Sequence, residues 1–435
     1  MRMQGLSLET IPPIHIPFRF FNTAPWMGVL AALVLLFDAG GAFSSQWSPE
    51  LLAVTHLLTL GFMAMVMLGA MFQLVPVISG RMIPGGAIVA TGVHLLLSIG
   101  VLLLVAGFYW KAYWLFAWAL PVLLTAFAMF LLALGSLLLR QIGGGDAIYS
   151  IRFAALSLLI TIGLGVLRSA NYAGLMEPLA LANIANIHLA WGLVGWVLLL
   201  VMGASYQVIP MFHVTPSYPV SLARALPAVV FLSLLLLSVV DHTVVQALVV
   251  FVLCTVAIVY AIYTIGLLNQ RKRKIPDNTA RFWRLSLVCL IASALLLAGF
   301  YFAGHLLSSI AIQQQLPVIV GILMIYGFAG SVIMGMLQKI VPFLAYLHLQ
   351  RSCLSNFELL KTLPHMGEII PESRSRWQFR IHLSALLVLL AVLITGGFVG
   401  PAALLLVADF AWLGYTLASA TRLYRNTAVR IALTP

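Results

Sequence analysis

Long apolar stretches alternate with short polar connections along the whole chain. That pattern predicts twelve helices, approximately 25–44, 50–79, 86–108, 112–139, 153–173, 185–212, 223–241, 243–268, 284–304, 316–344, 381–400 and 402–421. Most are close to the length an α-helix needs to cross a bilayer, where each segment must satisfy its own backbone hydrogen bonds. The closely set pairs, seven with eight and eleven with twelve, rest on the shortest dividing signals. The longest non-helical connection is expected at about 345–380, as a cytoplasmic loop. The fold class this predicts is all-α, a polytopic membrane protein.

The helices are not independent of one another. Gly69-Ala70-Met71-Phe72-Gln73-Leu74-Val75-Pro76 returns as Gly203-Ala204-Ser205-Tyr206-Gln207-Val208-Ile209-Pro210, and more loosely as Gly335-Met336-Leu337-Gln338-Lys339-Ile340-Val341-Pro342. The copies are offset by 134 and 132 residues. Self-similarity at one period means one structural unit used repeatedly. Twelve helices then divide into three pseudo-symmetric four-helix modules, 1–145, 146–275 and 276–435. Each opens with an Arg-Phe pair: Arg19-Phe20, Arg152-Phe153 and Arg281-Phe282. The glycine suits close helix approach, and the proline frees a backbone carbonyl that a nearby glutamine can serve. Gln73 and Gln207 therefore have two readings, as partners of a kink or as ligand contacts.

Composition sharpens this picture. Of 435 residues, 63% are hydrophobic and 8% charged, too few polar groups to cover a soluble domain. With an even number of spans both termini share a side, and all but Lys111 and Arg168 of the 23 basic residues fall there. The excess of Lys and Arg marks the cytoplasmic side, so the expected setting is a bacterial inner membrane with both termini inside. The net charge of +12 is thus an orientation signal. Nucleic acid is not an expected partner; the lipid bilayer is. Residues 1–24 carry Pro12, Pro13 and Pro17 where a cleavable signal would need an apolar core. Three widely spaced cysteines predict no disulfide, and no zinc-spaced cluster, phosphate loop or Ser-His-Asp motif is visible.

Ionisable groups inside spans are costly and mark function by default. Asp38, His56, His188, His305 and Asp409 are all expected in the outer third of the bundle, where they would converge. Neutral imidazole is a common ligand for iron and copper, so His56, His188 and His305 are candidate cofactor ligands. Met63 and Met67 share a helical stripe with His56 and extend the candidate metal set, since thioethers favour Cu(I). The competing readings are imidazoles that hydrogen-bond neighbouring helices and methionines that fill the core. His94 is expected deeper in span three and His242 near the interface. His15, His213, His348, His365 and His382 are expected in solvated cytoplasmic positions.

Twelve spans in three modules, with Thr55-His56-Leu57-Leu58-Thr59-Leu60-Gly61 ahead of Gly69-Ala70, resemble the haem–copper oxidase subunit I superfamily. The opening Pro17-Phe18-Arg19-Phe20-Phe21 and the Gln-x-x-Pro endings are similar to NnrS-type proteins, linked to nitric oxide metabolism. The resemblance implies a b-type haem with His56 as axial ligand, His188 at a copper-binding position, and a role in respiration or the nitric oxide response. The chain departs from the oxidases at span ten, which has no histidine, and at span seven, which offers only Asp241-His242. A complete oxygen-reducing centre is therefore not expected, which leaves any oxidoreductase activity open. Two other readings remain: a transporter or channel for a metal ion or small solute, and an oxidase-like scaffold that joins other membrane subunits without a cofactor.

Overall fold

The computed structural model describes all residues except 1, 4–5, 8–9, 39–40, 141–144, 177–182, 273–276, 304–309, 354–356, 398 and 434–435. Twelve helices are long and apolar enough to cross a membrane: His15–Phe37, Pro49–Ser79, Gly86–Tyr109, Leu115–Arg140, Gly145–Tyr172, Ile184–His213, Val220–Val239, Thr243–Asn269, Asn278–Phe302, Gln315–Ser352, Glu372–Thr395 and Gly400–Leu433. They are spans one to twelve below. The protein is an all-α polytopic membrane protein; among the described residues the only extended pairing joins Arg2–Met3 to Leu6–Ser7.

Helix boundaries follow local chemistry. Span two starts where Ser48 Oγ accepts from Leu51 N at 3.3 Å, with Pro49 in the first turn and Glu50 beside it. These residues serve backbone N–H groups that have no partner inside the helix. The same span stops at Gly80, whose φ of 68° is open to glycine at little cost.

Several expected boundaries move, among them the start of span one and both ends of the long connection before span eleven. Span one begins at His15, because Arg19 finds partners at its own level: its guanidinium hydrogen-bonds the His15 carbonyl and Thr91 Oγ1. A charge that is locally satisfied does not end a helix. The connection expected over 345–380 is shorter. Span ten runs on to Ser352, Phe357–Lys361 and Met366–Ile369 form short helices, and span eleven begins at Glu372. That earlier start places His382 about 15 Å along the helix. His382 is accordingly fully buried, where a solvated position was expected.

Spans two, six and ten are the most buried of the twelve and form the centre of the bundle. Span three packs against four, four against five, eight against nine, eleven against twelve, and twelve returns to pack against one. The chain thus closes a ring around the three central helices. Asn22 Nδ2 donates to Thr421 Oγ1 at 3.1 Å across the seam.

Each central helix widens into a π-helical stretch: Leu57–Ala64, Trp191–Leu198 and Leu323–Gly330. Such wide turns break α-helical register and often accompany functional sites. Each contains a glycine, Gly61, Gly195 or Gly327, that the first helix of its own stretch of chain overlies. A Cβ there would come within 2.8 Å of Met27 Cβ, 2.9 Å of Ser157 Cβ or 2.8 Å of Cys289 Sγ. Gly69 and Gly335 of the repeated block are equally crowded, each 2.6 Å from a phenylalanine Cβ (Phe20, Phe282) when a Cβ is added. Only a residue without a side chain permits this approach.

Candidate functional site

A cavity of about 300 Å³ lies at the N-terminal ends of spans two, six and ten. Its size is at the lower end for small-molecule and cofactor sites. Span two contributes His56, span five Arg168 and Tyr172, span six His188, and span ten Tyr326. Of the five residues expected to converge, His56 and His188 line this one cavity, whereas Asp38 and Asp409 do not.

The two imidazoles are held alike. His56 Nδ1 lies 2.7 Å from the Leu52 carbonyl one turn earlier, and its ring stacks on Phe108 at 5.3 Å. His188 Nδ1 lies 3.1 Å from the Thr161 carbonyl of span five. A ring nitrogen facing a carbonyl must carry the proton, so in each neutral ring Nε2 keeps its lone pair. Neither Nε2 hydrogen-bonds a described residue. Metal-binding histidines are commonly oriented in this manner.

The donor set also limits the group it fits. Among the described residues, no three His, Cys, Asp or Glu side chains cluster as metal ligands. A zinc-type site draws three or four protein ligands, whereas haem iron draws one or two. Two oriented imidazoles therefore fit a haem, or a copper ion that takes its remaining ligands elsewhere. Among the described residues, Arg168 is the only formally charged side chain lining the cavity. Its guanidinium lies 5.2 Å from the Tyr172 ring centre and donates to Tyr172 Oη at 3.2 Å. Arg168 and Tyr172 share a helix face four residues apart, a signal the sequence contained.

Asp409 does not join this pair. It is fully buried behind the cavity wall with His382, Tyr326, Gln378 and Ser331. Tyr326 Oη donates to Asp409 Oδ2 at 2.6 Å, Gln378 Nε2 donates to Oδ1 at 2.6 Å, and His382 Nδ1 lies 2.8 Å from Oδ2. Ser331 Oγ lies 2.8 Å from His382 Nε2. A Ser–His–Asp arrangement thus exists in space although none was visible along the sequence. Ser331 is fully buried and lines neither this cavity nor the one between the C-terminal halves of the central spans. The sequence signal was the Gln378–His382 pair, four apart on one face.

A second cavity of about 160 Å³ lies between the C-terminal halves of the same three central spans. Met67, Met71, Gln73 and Gln207 line it, so Met67 and His56 occupy different cavities. Met63 is fully buried and lines neither. Gln73 Oε1 has no hydrogen-bond partner, and neither does Oε1 of the buried Gln338. Asp38 ends span one and accepts from Ala42 N at 2.6 Å, holding the following turn. His305 lies outside the described residues.

Where span nine begins, Asp277 ties three segments together. Its Oδ1 accepts from Thr279 N at 2.9 Å; its Oδ2 accepts from Lys339 Nζ at 3.2 Å and lies 3.5 Å from His213 Nδ1. Burial pushes the carboxyl up, but the His213 ring 3.5 Å away and the Lys339 charge outweigh it and hold Asp277 well below the usual carboxylate range. His213, expected in solvent, is buried against this carboxylate.

No protein family model matches the chain, and no curated protein is similar to it.

Proposed function

We propose that the protein binds haem, with copper as a second metal it can take, in a bacterial inner membrane, serving respiration or the response to nitric oxide. Three copies of a four-helix unit form the frame, with both termini cytoplasmic. His56 would hold the haem iron, and His188 would supply a second ligand to it or bind copper. The observation that carries this reading is the pair of imidazoles in one cavity, each with Nδ1 tied to a carbonyl and Nε2 without a hydrogen bond. Arg168 supplies the positive charge that an anionic side group of the cofactor needs. Bound there, iron would supply one-electron chemistry and a coordination site for a small ligand.

The test is the absorption spectrum of protein purified after expression with ample haem. A Soret band that weakens in His56→Ala and shifts in His188→Ala supports the reading. Colourless wild-type protein, or a band unmoved by either substitution, overturns it.

A second reading is passage of a soft metal ion. It is favoured by the two cavities lying in series along the same three helices, one with imidazoles and one with thioethers. Copper uptake into reconstituted vesicles, lowered by joint Met67→Leu and Met71→Leu substitution, would distinguish it from the first. If neither spectrum nor flux is found, the scaffold reading alone remains.

A further inference from the structure

The buried cluster around Asp409 has a charge state that its hydrogen bonds determine. Asp409 meets three donors, on Tyr326, Gln378 and His382, which is the pattern of an ionised carboxylate. The Ser331 hydroxyl makes no other hydrogen bond among the described residues, so it donates to His382 Nε2 and the imidazole is neutral with its proton on Nδ1. No Lys or Arg contacts the cluster among the described residues. Span ten brings Tyr326 and Ser331, span eleven Gln378 and His382, span one Gly28 against Phe410, and span nine Phe282, whose ring centre lies 5.6 Å from that of His382. Asp409 is thus the shared acceptor at the centre of the cluster, with the Tyr326 hydroxyl aimed at it.

Tyr326 belongs to both the cluster and the first cavity. Its side chain lines the cavity beside Phe410, while its hydroxyl points at Asp409 Oδ2. An electron leaving the ring toward the cavity and a proton leaving the oxygen toward the carboxylate would take separate short routes. We propose that Tyr326 is a one-electron relay for the first cavity, with the Asp409–His382 pair as its proton acceptor. In the step, a one-electron oxidant takes an electron from Tyr326, the phenolic O–H bond breaks, and its proton forms a new O–H bond on Asp409 Oδ2. The products are a neutral tyrosyl radical, a neutral carboxylic acid held by His382, and the oxidant reduced by one electron. In the cell the oxidant is an oxidised metal or haem centre in the first cavity, the one part of this inference that rests on the function proposed above.

The relay is tested without any resident cofactor. Purified full-length protein in detergent is oxidised by a ruthenium(III) polypyridyl complex generated by light, and radicals are recorded by electron paramagnetic resonance. Wild type is expected to give a neutral tyrosyl signal together with an infrared band of a newly protonated carboxylic acid. Tyr326→Phe removes the signal and the band. Asp409→Asn keeps the tyrosine but lowers radical yield about tenfold or more. His382→Gln is the second variant should Asp409→Asn not fold, and a lowered yield is expected there too. Tyr206→Phe, which removes a buried hydroxyl that has no hydrogen-bond partner, leaves the signal unchanged. A signal of equal size in Tyr326→Phe, or a yield indifferent to both Asp409→Asn and His382→Gln in folded protein, overturns the proposal. Colourless protein with the radical intact would sink the cofactor reading and leave this one standing.

Discussion

His382 Nδ1 lies 2.8 Å from Asp409 Oδ2 with neither side chain exposed, a contact that joins spans eleven and twelve inside the apolar interior. Removing one member leaves the other buried without its hydrogen-bond partner, which costs about 1–3 kcal/mol. His382→Leu is expected to lower the thermal unfolding midpoint in detergent, followed by near-ultraviolet circular dichroism. Replacing both, His382→Leu with Asp409→Leu, is expected to lose less than His382→Leu alone.

The crowded glycines predict a sharp contrast between positions. Gly195→Val and Gly327→Val force the first helix of each pair outward, at about 1–3 kcal/mol. Gly163 and Gly266 have open space where a Cβ would sit. Gly163→Ala and Gly266→Ala should be neutral or stabilising by up to about 1 kcal/mol, since alanine is the better helix former. Equal losses at both kinds of site in thermal unfolding would remove the close-approach explanation.

Asp277 predicts an acid dependence. Its folded carboxyl titrates below the ordinary value of about 3.9, so the unfolded chain takes up the proton first as pH falls. Its stabilising contribution is complete above the ordinary carboxylate range and is lost as pH drops through that range toward the lower folded value. Asp277→Asn should unfold more easily at neutral pH, and its stability should depend less on pH in the acid range. Parallel acid profiles for wild type and variant would contradict this.

His188 is positioned by a small neighbour. A Cβ added at Gly165 would lie 3.2 Å from His188 Cε1, so Gly165→Val pushes the ring out of place. Affinity for haem or copper is expected to fall by roughly 10–100-fold, the usual result of disturbing a ligand's orientation. Cofactor content per protein after purification measures it, and undiminished loading would detach His188 from the site.

The number of spans was legible because a bilayer demands long apolar helices, and even the close divisions at 239–243 and 395–400 stand as helix breaks. The repeated glycine block is also legible, whereas the second glycine, eight residues earlier in each central helix, carries no signal of its role in the sequence. It is flanked by apolar residues, and only the overlying Met27, Ser157 or Cys289 reveals its purpose. Helix starts were misjudged where arginine sits within a helix, because composition cannot tell a solvated guanidinium from one bound to a neighbouring carbonyl. Arg152 does the same at Leu138, with its Nη2 2.9 Å from the carbonyl oxygen. The Asp409 cluster was hidden for a different reason. Tyr326 and Asp409 lie 83 positions apart, and the sequence does not say which faces of three helices will meet.

The seam between Asn22 and Thr421 joins positions 399 apart, so it forms only after nearly the whole chain has been synthesised. Until then the first helix waits in the bilayer with the flank meant for the last one uncovered. Closure of the circle therefore has to wait for span twelve to enter the bilayer, which makes it a late step however early the other helices pair.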